Sequence, residues 1–87
     1  MNPQTPEMPE IDLVVDLNGE DESGLPWTYL DEARDRAIVR VGAWLVVGEG
    51  TARAVAQVVE IDEDIVRVRP LRGPVSEHIE RLGGRVA

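Results

Sequence analysis

Three runs rich in β-branched residues, joined by two short polar turns, constrain the fold of this chain more than any other feature. The runs read IVRVGAWLVV, ARAVAQVVEID and IVRVRPL, and the turns are GEGT and DED. Val and Ile favour strands, and short polar segments between such runs favour hairpins. Residues 38–71 are therefore predicted to form an antiparallel meander of three strands, over residues 38–47, 52–62 and 65–71.

The meander is predicted to curl. Gly42 lies in the middle of the first run, where glycine indicates a bulge or a sharp bend. In the third run, Val66 and Val68 alternate with Arg67 and Arg69, so one face of that strand is apolar and the other is basic. A bent, Val-rich sheet with one apolar face is typical of small barrels.

The segments on either side of the meander carry shorter patterns. Residues 11–17 (IDLVVDL) alternate and predict an edge strand with Asp12 and Asp16 on a wet face. Residues 25–36 predict a short helix with Thr28 as its N-cap. Its aromatic residues are interpreted as packing anchors. Residues 75–82 predict a second short helix, which ends at two glycines and covers an open end of the sheet.

The fold class predicted from these elements is mainly β, an α+β small domain with two short helices. It is a curled antiparallel meander of about four to five strands. The spacing in VGAWLVV, AVAQVVEI and IVRVRPL resembles SH3-like barrels, whose central three strands form such a meander. That resemblance covers about a third of the chain, implies a partly open barrel and carries no function. The alternative is an α+β sandwich, with both helices on one face of a four-stranded antiparallel sheet. Residues 1–10 predict a flexible Pro-rich leader, and residues 11–87 a single domain.

Residues with catalytic or ligand chemistry are scarce. The chain has no cysteine and one histidine, His78, which is expected to face solvent. The Gly-x-Gly of residues 48–50 is not a dinucleotide site, because Arg53 stands at the third glycine position and a strand follows. Residues 16–27 imitate a calcium loop but have Asp21 at its sixth position and Trp27 at its twelfth. The sequence therefore predicts no enzyme, no cofactor and no metal, although cation binding by residues 16–22 stays open.

Charge is concentrated at one end. The formal net charge is −8, and up to Arg36 there are ten acidic residues and two arginines. Such a chain is repelled by phosphate backbones and anionic membranes, so no nucleic-acid or membrane partner is expected. No signal-like segment and no long apolar run occurs, which makes a soluble cytoplasmic protein the expectation.

Two binding hypotheses follow. The first is a protein-interaction domain, or one that self-associates, through a face holding Arg40, Trp44, Arg67 and Arg69, a composition typical of interface hot spots. Its alternative is that a terminal helix covers Trp44 and that the arginines pair with the acidic N-terminal half. The second hypothesis is an acidic antagonist that imitates nucleic acid and occupies a basic protein groove. Direct nucleic-acid binding through Arg67, Arg69 and Arg72 ranks third.

Overall fold

The predicted meander forms the centre of a five-stranded mixed sheet in the computed structural model, which describes residues 10–19 and 24–86. The order of the strands across the sheet is β1-β3-β4-β5-β2. β1 runs parallel to β3, and every other pair is antiparallel. The strands are β1 (Leu13–Val14), β2 (Trp27–Tyr29), β3 (Trp44–Glu49), β4 (Ala52–Asp62) and β5 (Ile65–Pro70).

The sheet curls until one edge strand, β1, meets the chain segment that follows the other edge strand, β2. Leu13 of β1 forms a β-bridge with Ala33, which follows β2 in the chain. Next to this bridge the N–H of Arg34 donates to the carbonyl oxygen of Asp12 at 2.8 Å. The result is a nearly closed barrel, as the sequence predicted. Its interior is aliphatic and holds Leu13, Val15, Val39, Leu45, Val47, Ala56, Val58, Val66 and Val68.

A bulge in β4 decides which residues face the interior. The register between β4 and β5 shifts between Val58 and Glu60, so Val59 is an extra residue in β4 without a cross-strand counterpart in β5. An extra residue reverses the alternation of faces beyond it. Ile61 therefore packs against the interior cluster. Without the bulge, unbroken alternation over residues 52–62 would place Ile61 on the face opposite Val58.

The first meander strand is shorter than predicted. Residues 36–38 form a 3-10 turn, η2 (Arg36–Ile38), and β3 begins only at Trp44. Between them Gly42 has a φ of 93°, in a turn where the N–H of Ala43 donates to the carbonyl oxygen of Arg40 at 2.9 Å. A positive φ favours glycine, so Gly42 does make the predicted sharp bend, but it lies before the strand.

The two predicted helices are replaced by a strand and by 3-10 turns. The helix over residues 25–36 is wrong, because residues 27–29 pair with β5 and Thr28 is buried inside β2 instead of capping a helix. Two 3-10 turns, η1 (Leu30–Glu32) and η2, lie between β2 and β3. The C-terminal segment forms η3 (Val75–Glu77) and η4 (Ile79–Val86), the latter broken at Gly83. Val75 and Leu82 are buried, whereas Ile79 is exposed.

The edge strand predicted over residues 11–17 is confirmed at Leu13–Val14, and its predicted wet face is confirmed at Asp16 but wrong at Asp12. β1 lies at an edge of the sheet, with Leu13 and Val15 buried. Asp12, expected in solvent, is buried because its carboxylate accepts hydrogen bonds from the backbone of β3 and from Arg34.

Two sequence predictions fall outside the described residues. Of the predicted leader, residues 1–10, the structure describes only Glu10. Of residues 16–22, the segment considered for cation binding, it describes residues 16–19. No helix in the described parts of the chain is long and apolar enough to cross a membrane.

Candidate interaction surface

The C-terminal turns divide the outer face of the sheet into a covered half and an open half. Val75 and Leu82 pack on Val46 and Val55, the outward side chains of β3 and β4. Trp44 and Leu71 lie at the margin of this second cluster and are half-buried. On the outer face of β5 and β2, Trp27, Tyr29 and Arg69 are exposed and Arg67 is half-buried.

An aromatic pair occupies this open half. Trp27 and Tyr29 are two residues apart on β2 and therefore point to the same face, while Thr28 between them points inward. Their rings meet edge to face, with centroids 5.4 Å apart and an interplanar angle of 83°. They remain 37% and 49% exposed, respectively. This edge-to-face contact is a favourable arrangement of two aromatic rings, and it leaves a large apolar area in water.

Arginines from β5 flank the aromatic pair. Arg67 is the cross-strand partner of Trp27, and its Nη1 lies 3.2 Å from Glu60 Oε1 on β4. Arg69, two residues further along the same face, is exposed and pairs across the sheet with Gln57. Both guanidinium groups thus lie on the outer face, as the alternation in the sequence predicted.

The structure unites most of the predicted binding residues. Trp44, Gln57 and Arg69 form one cross-strand row, and Arg67 follows on the same strand. Arg40 lies apart from this row, in the turn before β3, where its Nε donates to the carbonyl oxygen of Ala37 at 3.3 Å.

The surroundings of Trp44 match the packing alternative considered for it. The guanidinium carbon of Arg81 lies 4.8 Å from the centre of the Trp44 ring, so the C-terminal segment covers this side chain. For the second half of that alternative, the described residues show Arg67 in an ion pair with Glu60 of β4. Partner binding by these four residues remains a prediction.

β2 also offers an open backbone edge. The N–H of Val68 donates to the carbonyl of Pro26 at 3.1 Å, and the N–H of Leu30 to the carbonyl of Asp64 at 2.8 Å. In an antiparallel ladder, hydrogen-bonded and non-hydrogen-bonded residue pairs alternate along the strand. Because Pro26 and Leu30 are hydrogen-bonded to β5, Thr28 forms a hydrogen-bonded pair with Val66. The N–H and C=O groups of Trp27 and Tyr29 then point away from β5. Within residues 10–19 and 24–86, no hydrogen bond to these groups is formed from that side.

Carboxylates collect at the end of β2. The Leu30 to Asp64 hydrogen bond brings η1 against the turn between β4 and β5. Asp62, Glu63 and Asp64 of that turn are exposed, as are Asp31 and Glu32 of η1. We call these five residues the acidic end. Arg36 forms an ion pair with Asp31 and partly offsets its charge.

A second set of charged side chains, Asp12 and Arg34, stabilises the fold. The buried carboxylate of Asp12 accepts a hydrogen bond from the Val46 N–H at 2.9 Å through Oδ2, and one from Arg34 Nη2 at 2.8 Å through Oδ1. The hydrogen bond that Arg34 donates to Asp12, aided by the negative charge of the carboxylate, raises the pKa of Arg34 above its ordinary value. Asp12 thus joins β1, β3 and the segment after β2, where the barrel closes.

The remaining candidate groups take structural positions. His78 is half-buried, and its Nε2 donates to the carbonyl oxygen of Arg72 at 2.7 Å, so it fastens the C-terminal segment and does not simply face solvent as expected. Among the described residues, no group of three or more His, Asp or Glu side chains is arranged to hold a metal ion. No protein-family model, no curated protein and no solved structure matches this chain.

The sequence interpretation missed the aromatic pair as a surface. The sequence pattern predicts Trp27 and Tyr29 as anchors that dock a helix onto the sheet, whereas both rings are exposed on β2. The signal for a strand was present in the triplet Trp-Thr-Tyr, because β-branched and aromatic residues favour strands and Pro26 precedes it. The acidic Asp31 and Glu32 just beyond imitated the first turn of a helix and concealed that signal.

Proposed function

We propose that this chain is a non-enzymatic protein-interaction domain that binds its partner through the open half of the outer face. The observation that supports this most is the exposed, mutually oriented pair of Trp27 and Tyr29 beside Arg67. Trp, Tyr and Arg are the residues most enriched at interface hot spots. Aromatic rings already held by a neighbour lose little conformational freedom on binding.

The predicted contact shifts along the same outer face, from Trp44 on β3 towards β2. Arg67 and Arg69 stay in the binding face, and the aromatic anchors become Trp27 and Tyr29. Trp44 lies at the margin, because the C-terminal segment and Arg81 already pack on it. The cytoplasm remains the proposed setting of the interaction.

Affinity capture with matched variants tests this face. The tagged chain, W27A and Y29A would each be incubated with nuclease-treated lysate of the source cells, at about 0.15 M and about 1 M salt. V41A is the control, because Val41 is also an exposed apolar residue, 63% exposed, but lies in the turn before β3. Circular dichroism would show that all variants fold.

The outcome is read from the proteins captured. A protein retained by the parent and by V41A, and lost with both W27A and Y29A, supports the proposal. Equal recovery by all four chains would show that the open half is not the binding face.

A second candidate is the acidic antagonist, which the acidic end favours. Its carboxylates are exposed and lie on two adjoining segments joined by the Leu30 to Asp64 hydrogen bond. An antagonist of this kind binds a basic groove through charge, so its complex dissociates at high salt and is indifferent to W27A. The two salt conditions of the same capture experiment therefore separate the two candidates.

A further inference from the structure

We propose that the partner supplies an extended, basic peptide segment that adds as a sixth strand to the open edge of β2. This inference rests on the proposed function and gives its partner a chemistry. Three features of the described residues converge on β2: a backbone edge without partners, an exposed aromatic pair and a terminal cluster of carboxylates.

The backbone edge provides the pairing. Trp27 and Tyr29 each direct one N–H and one C=O away from β5, in the spacing of a ladder that continues the sheet. Open sheet edges of this kind pair readily with extended peptides, whose main-chain hydrogen bonds supply affinity without regard to sequence. The barrel closes by a single bridge at Leu13 and Ala33, which lies beyond the end of β2.

The aromatic pair provides apolar contact on the outer side of the added strand. Alternate side chains of a strand beside β2 point to the same face as Trp27 and Tyr29. They would lie next to the two rings and remove exposed aromatic area from water. Basic side chains suit this position further, because a guanidinium or ammonium group is attracted to the face of an aromatic ring.

The acidic end favours a positively charged peptide. It lies at the C-terminal end of β2, where Asp62 shares a cross-strand row with Ile65 and Tyr29. The carboxylates at this end of β2 favour Arg or Lys in a segment beside Tyr29 and disfavour Asp or Glu. A second copy of this chain fits poorly, because each copy carries a net charge of −8.

Synthetic peptides test the strand addition directly. The parent probe is a short, capped peptide in which Val and Arg alternate, and its charge-reversed counterpart has Glu in place of Arg. Two further probes carry N-methyl groups on alternate residues, one on the odd and one on the even positions. A strand beside β2 uses the N–H groups of only one of its edges, so the two methylated probes must differ.

Binding would be measured by calorimetry and by amide exchange in NMR. We expect the Glu probe to bind at least about tenfold more weakly than the Arg probe. One methylated probe should lose about tenfold in affinity while the other stays within about threefold, and the amides of Trp27 and Tyr29 should become protected. Equal binding of the two methylated probes would overturn strand addition.

A charge-matched pair of variants tests the acidic end. E32Q/D62N removes two of its carboxylates, and E49Q/E80Q removes two exposed carboxylates elsewhere. The first should weaken the Arg probe about fivefold at low salt, and the second less than about twofold. Equal effects would mean that net charge alone attracts the peptide, which contradicts the assignment.

Failure of this inference and failure of the proposed function give different results. If no peptide binds but capture of a protein still depends on Trp27 and Tyr29, the open half binds its partner without an added strand. If sedimentation shows dimers and the β2 amides are protected without peptide, the occupant is a second copy and the basic peptide is wrong. If neither peptide binding nor capture depends on β2, both proposals fall together.

Discussion

Replacement of Asp12 by Ala is expected to open the barrel at its closure. The side chain is only 3% exposed, and Oδ2 accepts the hydrogen bond from the N–H of Val46, itself a buried residue of β3. Without the carboxylate that N–H has no replacement acceptor at the same place. A buried donor left without a partner costs about 1–3 kcal/mol.

We therefore expect D12A to lower the free energy of unfolding by about 2 kcal/mol. For a domain of this size that change corresponds to a melting temperature lower by roughly 8–16 °C. The ion pair with Arg34 adds less, because the Arg34 side chain is 50% exposed and returns to water when its partner is removed. Urea and thermal unfolding followed by circular dichroism measure the loss.

D12N separates the hydrogen bond from the charge. Its side-chain oxygen can still accept from Val46, so it should lose less than half as much stability as D12A. The attraction between Asp12 and Arg34 is removed in both variants. Equal losses in D12N and D12A would refute the assignment of the stability to the Val46 hydrogen bond, as would a loss in D12A below about 0.5 kcal/mol.

The pH dependence of the Asp12 and Arg34 pair has a definite sign. The pKa of Arg34 is higher in the folded chain than in the unfolded chain, so its contribution is fully present below the unfolded pKa of Arg. It is lost only as the pH rises through the folded value. Alkaline titration up to about pH 11 should therefore leave the stability difference between the parent and R34Q unchanged.

Two further predictions concern the hairpin and the core. G48A should destabilise the chain by about 3 kcal/mol or more, because a Cβ at this position, with φ of 138°, would overlap the carbonyl group of Ala52. G50A should cost only about 1 kcal/mol, since its φ is also positive but nothing lies within 4 Å; similar losses would contradict the overlap. L45A should cost about 3 kcal/mol by leaving a cavity in the barrel, against less than about 0.5 kcal/mol for V41A at the surface, both measured by urea unfolding.

The local pattern was sufficient for the central strands. β4 (Ala52–Asp62) has the predicted bounds, and β5 (Ile65–Pro70) ends one residue before them. The alternation of Val66 and Val68 with Arg67 and Arg69 gave the correct inner and outer faces of β5. Adjacent hairpin strands are set by neighbours in sequence, so their pairing is legible in the chain itself.

The tertiary structure decided the segments outside the meander. Residues 27–29 carry both strand and helix signals, and pairing with β5 settles them as a strand. The sequence pattern predicts Asp12 in solvent, whereas its hydrogen bonds with the Val46 N–H and Arg34 explain its burial. In each case the partner lies more than twenty residues away in the chain, so no local pattern contains it.

The candidate surface shows the same division. The arginine alternation on β5 was determined by sequence, because period-two geometry fixes which side chains share a face. The exposure of Trp27 and Tyr29, and the cover over Trp44, were decided by where the C-terminal 3-10 turns pack. Those turns could bury only one half of the outer face, and which half depends on contacts between Val46, Val55 and residues 75–82 that exist only in the folded chain.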